Sequence, residues 1–417
     1  MEVVEKQFTD RAAGRPPATG PGLSPHLRAR IERDFRERYE KEWGKRFVTH
    51  GRPPGPDAVR LDGNDYLAIT GHPDIVNAQI GALRDQRDFV VQSGVFQLEG
   101  SAHARLEEAL AAYVGKETAL LCQSGYTANL GLIQVVADPQ TPVYVDSLAH
   151  MSLWEGVRAA GAPAHAFRHN DPEHLERMAA RHGAGLVIVD SVYSTTGALC
   201  PLEGMVEAAE RHGCMILVDE SHSLGTHGPE GRGLCAELGL SDRVHFITAS
   251  LAKAFAGRAG FFTMPGELRP YLMCHSYPSI FSSCLLPQEV AGLRATLEVV
   301  RRSDAARAAL KRNTTRLRSA LAALGYPIQH GSEQILSLEA GPEADTLALR
   351  DALEDRGVFG AVFCAPATSR NRSMVRLTLN AGLTDAELSH VEAVAAEVAP
   401  LVKPWDWAIG RRTRARD

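Results

Sequence analysis

Two segments hold the residues best suited to covalent chemistry. Val218-Asp219-Glu-Ser-His222-Ser closes one short apolar run, and Thr248-Ala-Ser250-Leu-Ala-Lys253 follows the next. If both runs are neighbouring parallel strands, an acid and a lysine face each other across adjacent strand ends. That pair suits pyridoxal phosphate, whose aldehyde needs a lysine amine and whose ring nitrogen needs a carboxylate to stay protonated. Burial next to the cofactor lowers the lysine pKa, so the amine can act as nucleophile and base. A surface lysine at a helix start is the commoner use of this residue type. The flanks of Lys253, Ser250-Leu-Ala-Lys-Ala-Phe-Ala-Gly-Arg-Ala-Gly, are small and apolar and read as a packed loop. A metal site from Asp219, His222 and His227 is the weaker alternative, because no second ligand cluster has metal-site spacing; the expectation is no metal.

The elements that must position these groups show in the spacing of apolar runs. Thr118–Cys122 and residues 142–146, 185–190, 214–219, 244–249 and 259–263 are short, bounded and rich in branched residues, as buried strands are. Amphipathic stretches at 171–182 and 201–212 lie between them. This alternation predicts an α/β fold, a mainly parallel sheet with helices on both faces. Three runs end in Asp146, Asp190 and Asp219, and ligands of open α/β sheets collect at the carboxyl ends of strands. After Pro287 the pattern changes to one long helix, 288–324, then to short strands and helices of a smaller α+β domain. Ile31, Phe35, Tyr39 and Trp43 predict an amphipathic helix over 27–45, after a flexible Pro/Gly-rich start. The division expected is an N-terminal arm and helix over 1–60, a cofactor-binding domain over 61–286, a small domain over 287–400 and a tail over 401–417, disordered over its last residues 410–417.

The 417 residues carry 45 Lys+Arg against 50 Asp+Glu, a formal charge of −5. A mildly acidic chain is no general binder of nucleic acid or anionic membrane. No apolar run approaches the ~20 residues of a membrane span. Seven scattered cysteines without a C-x-x-C pair read as buried thiols of a reducing compartment, so the expected location is the cytoplasm. Only seven of the 45 cations are lysines, and Lys253 is the one in an apolar context.

Beyond single residues, the ordered motifs Asn64-Asp-Tyr-Leu, Gln123-Ser-Gly-Tyr-Thr-Ala-Asn129, Asp219-Glu-Ser-His222, Gly225-Thr-His-Gly-Pro-Glu-Gly-Arg-Gly233, the Lys253 segment and Val375-Arg376-Leu-Thr-Leu resemble the α-oxoamine synthases. These are fold-type I pyridoxal phosphate enzymes that condense an amino acid with an acyl-coenzyme A thioester. The resemblance implies Lys253 as the Schiff-base lysine, Asp219 as partner of the ring nitrogen, His222 as hydrogen-bond partner of the phenolic oxygen and His150 as the histidine stacked on the ring. It implies Ser194 near the same oxygen. It also implies Ser283 reaching the phosphate of the partner subunit in a homodimer whose sites lie at the interface. Ser124, Gly125 and Tyr126 open a helical stretch whose first amides suit a phosphate, and Ser250 would add a hydroxyl. Arg376 matches the arginine that holds the amino-acid carboxylate, and Asn64 an entrance residue near the acyl substrate; a salt-bridged surface arginine is the plain alternative for Arg376.

Some positions differ from most members. Gln92-Ser-Gly-Val-Phe-Gln-Leu-Glu-Gly100 replaces a glycine- and serine-rich motif, Ala252, Ala256 and Ala259 stand where glycine or a small hydroxyl residue is usual, and Asn380-Ala-Gly-Leu-Thr384 lacks a common histidine. Together with Asp-Glu-Ser-His-Ser-Leu-Gly-Thr-His-Gly-Pro, these resemble the branch of α-hydroxyketone quorum-sensing autoinducer synthases. That branch implies a medium-chain acyl-coenzyme A and a small amino acid such as 2-aminobutyrate, or S-adenosylmethionine, as substrates. A synthase of another pathway, a fold-type I aminotransferase or aldolase, and a silent subunit are the rival readings.

Overall fold

The computed structural model describes residues 22–85, 91–328, 331 and 333–409; the Pro/Gly-rich start up to residue 21 and the last eight residues lie outside them. Its larger sheet has seven strands: β2 (Thr118–Cys122), β3 (Val143–Asp146), β4 (Ala164–Phe167), β5 (Leu186–Asp190), β6 (Met215–Asp219), β7 (Phe246–Ser250) and β8 (Gly260–Met264). Their order is β2-β8-β7-β6-β5-β3-β4, and β8 runs against both its neighbours while the other pairs are parallel.

Residues alternate between two cores along each central strand. Leu186 and Ile188 enter one core with Ala128, Leu132, Leu153 and Val157 of two helices. Val187 and Val189 enter the other with Leu175, Met205 and Val206. Both faces of the sheet are therefore covered by helices, which is why these strands read as unbroken apolar runs. The register sets Asp190 opposite Asp219 and Asp219 opposite Thr248, so Asp219 and Ser250 close neighbouring strands on one edge.

The smaller sheet orders β1 (Val59–Leu61), β10 (Val358–Phe363), β11 (Ser373–Thr378) and β9 (Ile335–Gly341), with β1 and β10 parallel and the rest antiparallel. Residues 59–61 thus join a sheet formed mostly by the C-terminal segment. Neither β1 nor β4 is expected from the sequence: β1 has three residues, and β4 is an edge strand whose first three side chains are not buried.

The single helix expected over 288–324 is two, Pro287–Arg301 and Asp304–Ala323. The first ends in a tightened turn, Arg302 and Ser303 donating to Val299 and Val300, and the Ser303 hydroxyl also donates to the Val299 carbonyl. The helix expected over 27–45 is α-helical only over Pro25–Ile31 and widens to π turns over Glu32–Arg36 and Arg38–Glu42. Trp43 Nε1 ties it to Glu343, at the start of the helix Glu343–Glu354, at 2.6 Å. Five cysteines are buried as expected, but Cys274 is exposed and Cys284 half-buried, since both lie on short surface helices or the turn that follows them.

Candidate active site

Asp219 is 4% exposed at the end of β6, and its two oxygens accept from Ser221 N at 2.8 Å and Asn129 Nδ2 at 2.7 Å. One strand further, the chain leaves β7 through a turn pinned by Leu251 N to Ala259 O at 2.9 Å, Ala256 N to Lys253 O at 2.8 Å and Gly257 N to Leu251 O at 2.9 Å. Leu251, Ala254 and Phe255 bury their side chains, which leaves Lys253 half-buried between them. Ala256 takes a left-handed φ of 46°, a conformation costing an L-residue about 1–2 kcal/mol. The Lys253 side chain makes no hydrogen bond or ion pair among the described residues. Burial first, then the charge of Arg376, pushes its pKa down, while Asp219 opposes the shift.

The helix Gly125–Val136 starts against this turn. A side chain on Gly125 would meet Ser250 Cβ at 2.7 Å, and one on Gly260 would meet Gly125 N at 2.4 Å, so the helix start and the ends of β7 and β8 touch backbone to backbone. Ser124 caps the helix, its Oγ accepting from Thr127 N at 3.1 Å. The Gly125 and Tyr126 amides remain as first-turn donors next to Ser250, the pattern that binds phosphate. The Tyr126 side chain is exposed.

Two histidines flank the acid and the lysine. His222 is buried, and burial with the charges of Lys253 and Arg376 holds it well below the ordinary histidine value. The hydroxyl of fully buried Tyr66 lies 2.5 Å from His222 Nδ1. Burial raises the Tyr66 pKa, so the phenol keeps its proton and donates it to Nδ1, leaving His222 with a proton on Nε2. Gln334 Nε2 donates to the His222 carbonyl at 2.8 Å. His150 caps the helix Met151–Ala160, and its amide donates to Asp190 Oδ2 at 3.0 Å. Asp190 is itself pushed well above the usual carboxyl range by burial, then by the charges of Asp219 and Asp146.

Arg376, on β11, comes over the same strand ends from the small sheet. It is 5% exposed, donates from Nη1 to the Ser194 carbonyl at 2.9 Å and from Nη2 to Asn64 Oδ1 at 3.1 Å, and lies 4.6 Å over the Phe363 ring. Its Nε is buried without a partner. Among the described residues only neutral acceptors hold this cation, and with the side chain buried a surface salt bridge does not explain it. Asn64 and Ser194 are brought into the site as acceptors for Arg376, and the Ser194 hydroxyl is not the group that engages it. Ser283 is set apart: its carbonyl accepts from Gln123, it bridges Ser93, and it makes no hydrogen bond to the other candidates among the described residues.

The alternative metal ligands are otherwise engaged. His227 Nε2 lies 3.0 Å from Glu333 and its Nδ1 2.9 Å from Thr226 Oγ1, and no group of three or more metal-binding side chains occurs among the described residues. The site instead gathers a buried carboxylate, a lysine lacking a counter-ion, an arginine with an orphaned Nε and a helix start. These fit the ring nitrogen, aldehyde, substrate carboxylate and phosphate that pyridoxal phosphate chemistry brings together. Tyr66, Asn129, Ser152, Asp190 and Gln334 were given no role by the sequence. Tyr66 and Asn129 sit inside the motifs quoted above, but a buried tyrosine or asparagine reveals its partner only once the fold supplies it.

Comparison with known proteins shows the family. Residues 56–394 match the family model of aminotransferase class I and II. The chain is 44% identical over 381 residues to the CAI-1 autoinducer synthase of Vibrio campbellii, covering 91% of this chain and 96% of that protein. It is 33% identical to an 8-amino-7-oxononanoate synthase of Mycobacterium sp. (strain KMS), covering 85% and 93%. Among solved structures it resembles Sphingomonas wittichii serine palmitoyltransferase, with TM-score 0.79, 28% identity and coverage of 83% and 88%. A structure of SPT with PLP aligns with TM-score 0.83, 26% identity and coverage of 91% and 99%. With a family model matched over most of the chain and relatives at these identities, the chain belongs to the aminotransferase class I and II family, among its pyridoxal-phosphate-dependent α-oxoamine synthases.

Proposed function

We propose that this enzyme joins the acyl group of a medium-chain acyl-coenzyme A to the Cα of a small amino acid or S-adenosylmethionine, giving an α-aminoketone that is a quorum-sensing autoinducer precursor. The observation that carries this reading is the 44% identity to a CAI-1 autoinducer synthase across nearly the whole of both chains. The Lys253, Asp219 and Arg376 geometry supports the chemistry. The 8-amino-7-oxononanoate synthase reading has lower identity behind it, and the Gln92–Gly100 segment departs from the motif usual there.

Pyridoxal phosphate, when bound, supplies an aldehyde for the amine and a protonated ring that draws electrons from Cα. Lys253 is placed to hold the aldehyde, and its lowered pKa lets the free amine take the Cα proton and later return one. Asp219 is placed to accept the ring N–H, the Gly125 and Tyr126 amides with Ser250 to hold phosphate, and His222 to direct its Nε2–H at the phenolic oxygen. Arg376 is placed to fork onto the amino-acid carboxylate. In net terms, the Cα–carboxylate and thioester C–S bonds break and Cα bonds to the acyl carbon; the proton taken from Cα before acylation is balanced by the one that leaves on the coenzyme A thiol, and a proton from solvent takes the place of the carboxylate on Cα as carbon dioxide departs.

The apolar side chains of Leu98 and Phe281, each 77% exposed on the segments flanking Ser283, support a homodimer with this face as part of the contact. Reduced thiols and an acyl-coenzyme A substrate go with a cytoplasmic location. The test is a matrix of acyl-coenzyme A donors against alanine, glycine, 2-aminobutyrate and S-adenosylmethionine, read by thiol release and mass spectrometry. Aminoketone with one thiol and one carbon dioxide per turnover is expected; keto-acid exchange without thiol release would make it an aminotransferase instead.

Arg376→Lys keeps a charge but loses the fork. A desolvated charge contact of this kind is worth about 2–5 kcal/mol, so kcat/KM for the amino acid should fall on the order of 10²–10³-fold, mostly through KM. An unchanged amino-acid KM in steady-state kinetics would move the carboxylate site elsewhere.

A further inference from the structure

The helices Gly125–Val136 and Met151–Ala160 pack so closely at Gly156 that a side chain there would meet Ile133 Cδ1 at 2.8 Å and the Asn129 carbonyl at 3.2 Å. This brings Asn129 and Ser152, 1% and 0% exposed, into contact beneath the site. A carboxylate only accepts, so the Asn129 atom 2.7 Å from Asp219 Oδ2 is its NH2. The second hydrogen of that group goes to Ser152 Oγ at 2.8 Å, and Asn129 Oδ1 stays buried with no partner. The amide orientation is thus imposed by Asp219 at the expense of its own oxygen. Ser152 Oγ, having accepted from Asn129, has its single proton to give, and His150 Nδ1 lies 2.7 Å away. The Ser152 backbone amide also points at His150 Nδ1, at 3.3 Å, and an amide can only donate.

We infer that Asn129 and Ser152 are positioning residues that hold His150 as a neutral imidazole with its proton on Nε2, so that this ring offers the reaction centre a hydrogen-bond donor and not a base. Because Asn129 donates at both ends, no proton passes between Asp219 and His150 along this line. Proton removal from Cα is left to Lys253. The groups facing His150 are Asp219, Lys253 and His222, with Asp190 on its backbone amide. Burial and Lys253 oppose a second proton on the ring and Asp219 favours one, so the two donors at Nδ1 decide the balance. The catalytic use of this tautomer rests on the pyridoxal phosphate reading; the tautomer itself does not.

The test is nitrogen NMR of the full chain labelled at histidine, with and without pyridoxal phosphate, His150 being assigned by difference from His150→Gln. At neutral pH the wild-type protein should show His150 Nδ1 unprotonated and Nε2 protonated. Ser152→Ala should mix the tautomers and raise the His150 titration midpoint by roughly one pH unit, the worth of one lost neutral hydrogen bond. Ser152→Thr, which keeps the hydroxyl, should restore both. Wild-type His150 protonated on Nδ1, or on both nitrogens, overturns the inference whether or not the variants fold. An unaltered tautomer in Ser152→Ala also overturns it. A chain with this tautomer that never binds pyridoxal phosphate would support the hydrogen-bond assignment and sink the functional reading instead.

Discussion

Lys253→Ala is expected to give a folded protein that has lost the visible absorbance of lysine-bound pyridoxal phosphate and nearly all turnover. On the proposed function two roles would disappear together, the amine that holds the aldehyde and the base that moves the Cα proton. General acid–base catalysis alone contributes about 10²–10⁴-fold, so the combined loss in kcat should reach or exceed the top of that range. Folding should survive. The Lys253 side chain makes no hydrogen bond or ion pair among the described residues, and burying its ammonium is unfavourable, as the lowered pKa records. With the folded pKa below the unfolded one, the native state holds fewer protons than the unfolded chain over the interval between them. Stability in the wild-type protein therefore rises with pH there, and Lys253→Ala should flatten that rise. Spectra and melting curves across pH check both halves. A purified variant that kept its visible band and its turnover would remove Lys253 from the chemistry.

The strand ends that build this site were legible because both faces of the large sheet are buried: a strand covered twice has to be an apolar run, and its first polar residue marks where it stops. Asp146, Asp190 and Asp219 are such stops. The edge strand β4 and the three-residue β1 carry no such signature, since neither is covered on both sides. The break between the helices at Arg302 and Ser303 was hidden for another reason. Neither residue is a strong helix breaker, and the turn tightens through local i to i−3 bonds that side-chain periodicity does not report. In the site, reactive groups were visible by type and motif, whereas the groups that hold them were not. Tyr66 lies 156 residues from His222 in sequence and Asn129 lies 90 from Asp219, distances across which only the fold supplies a partner.

Asp219→Asn separates activity from stability most sharply. The substitution keeps shape and leaves Ser221 N an oxygen to donate to, while Asn129, whose Oδ1 has no partner in the wild type, must turn its amide to accept from the new NH2; but an amide cannot hold the ring nitrogen of pyridoxal phosphate in its protonated form. Removing the charge takes away the electron sink, so kcat should fall on the order of 10³-fold, within the range ascribed to electrostatic stabilisation of developing charge. The protein should not be weakened in parallel. Asp190 sits opposite Asp219 on the next strand, and its carboxyl is raised well above the usual range by burial first and by Asp219 next. Two charges one strand apart, about 5 Å, repel by roughly 3 kcal/mol at an effective dielectric near 20. A carboxyl whose folded pKa lies above its unfolded value binds more protons in the native state, so wild-type stability declines as pH rises through that interval. In Asp219→Asn the shift at Asp190 loses its second cause. The decline should shrink, and the melting temperature near neutral pH should hold or rise while turnover collapses, a trade between stability and function expected of a site that concentrates unfavourable charge. A variant that melted several degrees lower and lost activity only in proportion to unfolding would mean that Asp219 serves the fold and not the cofactor.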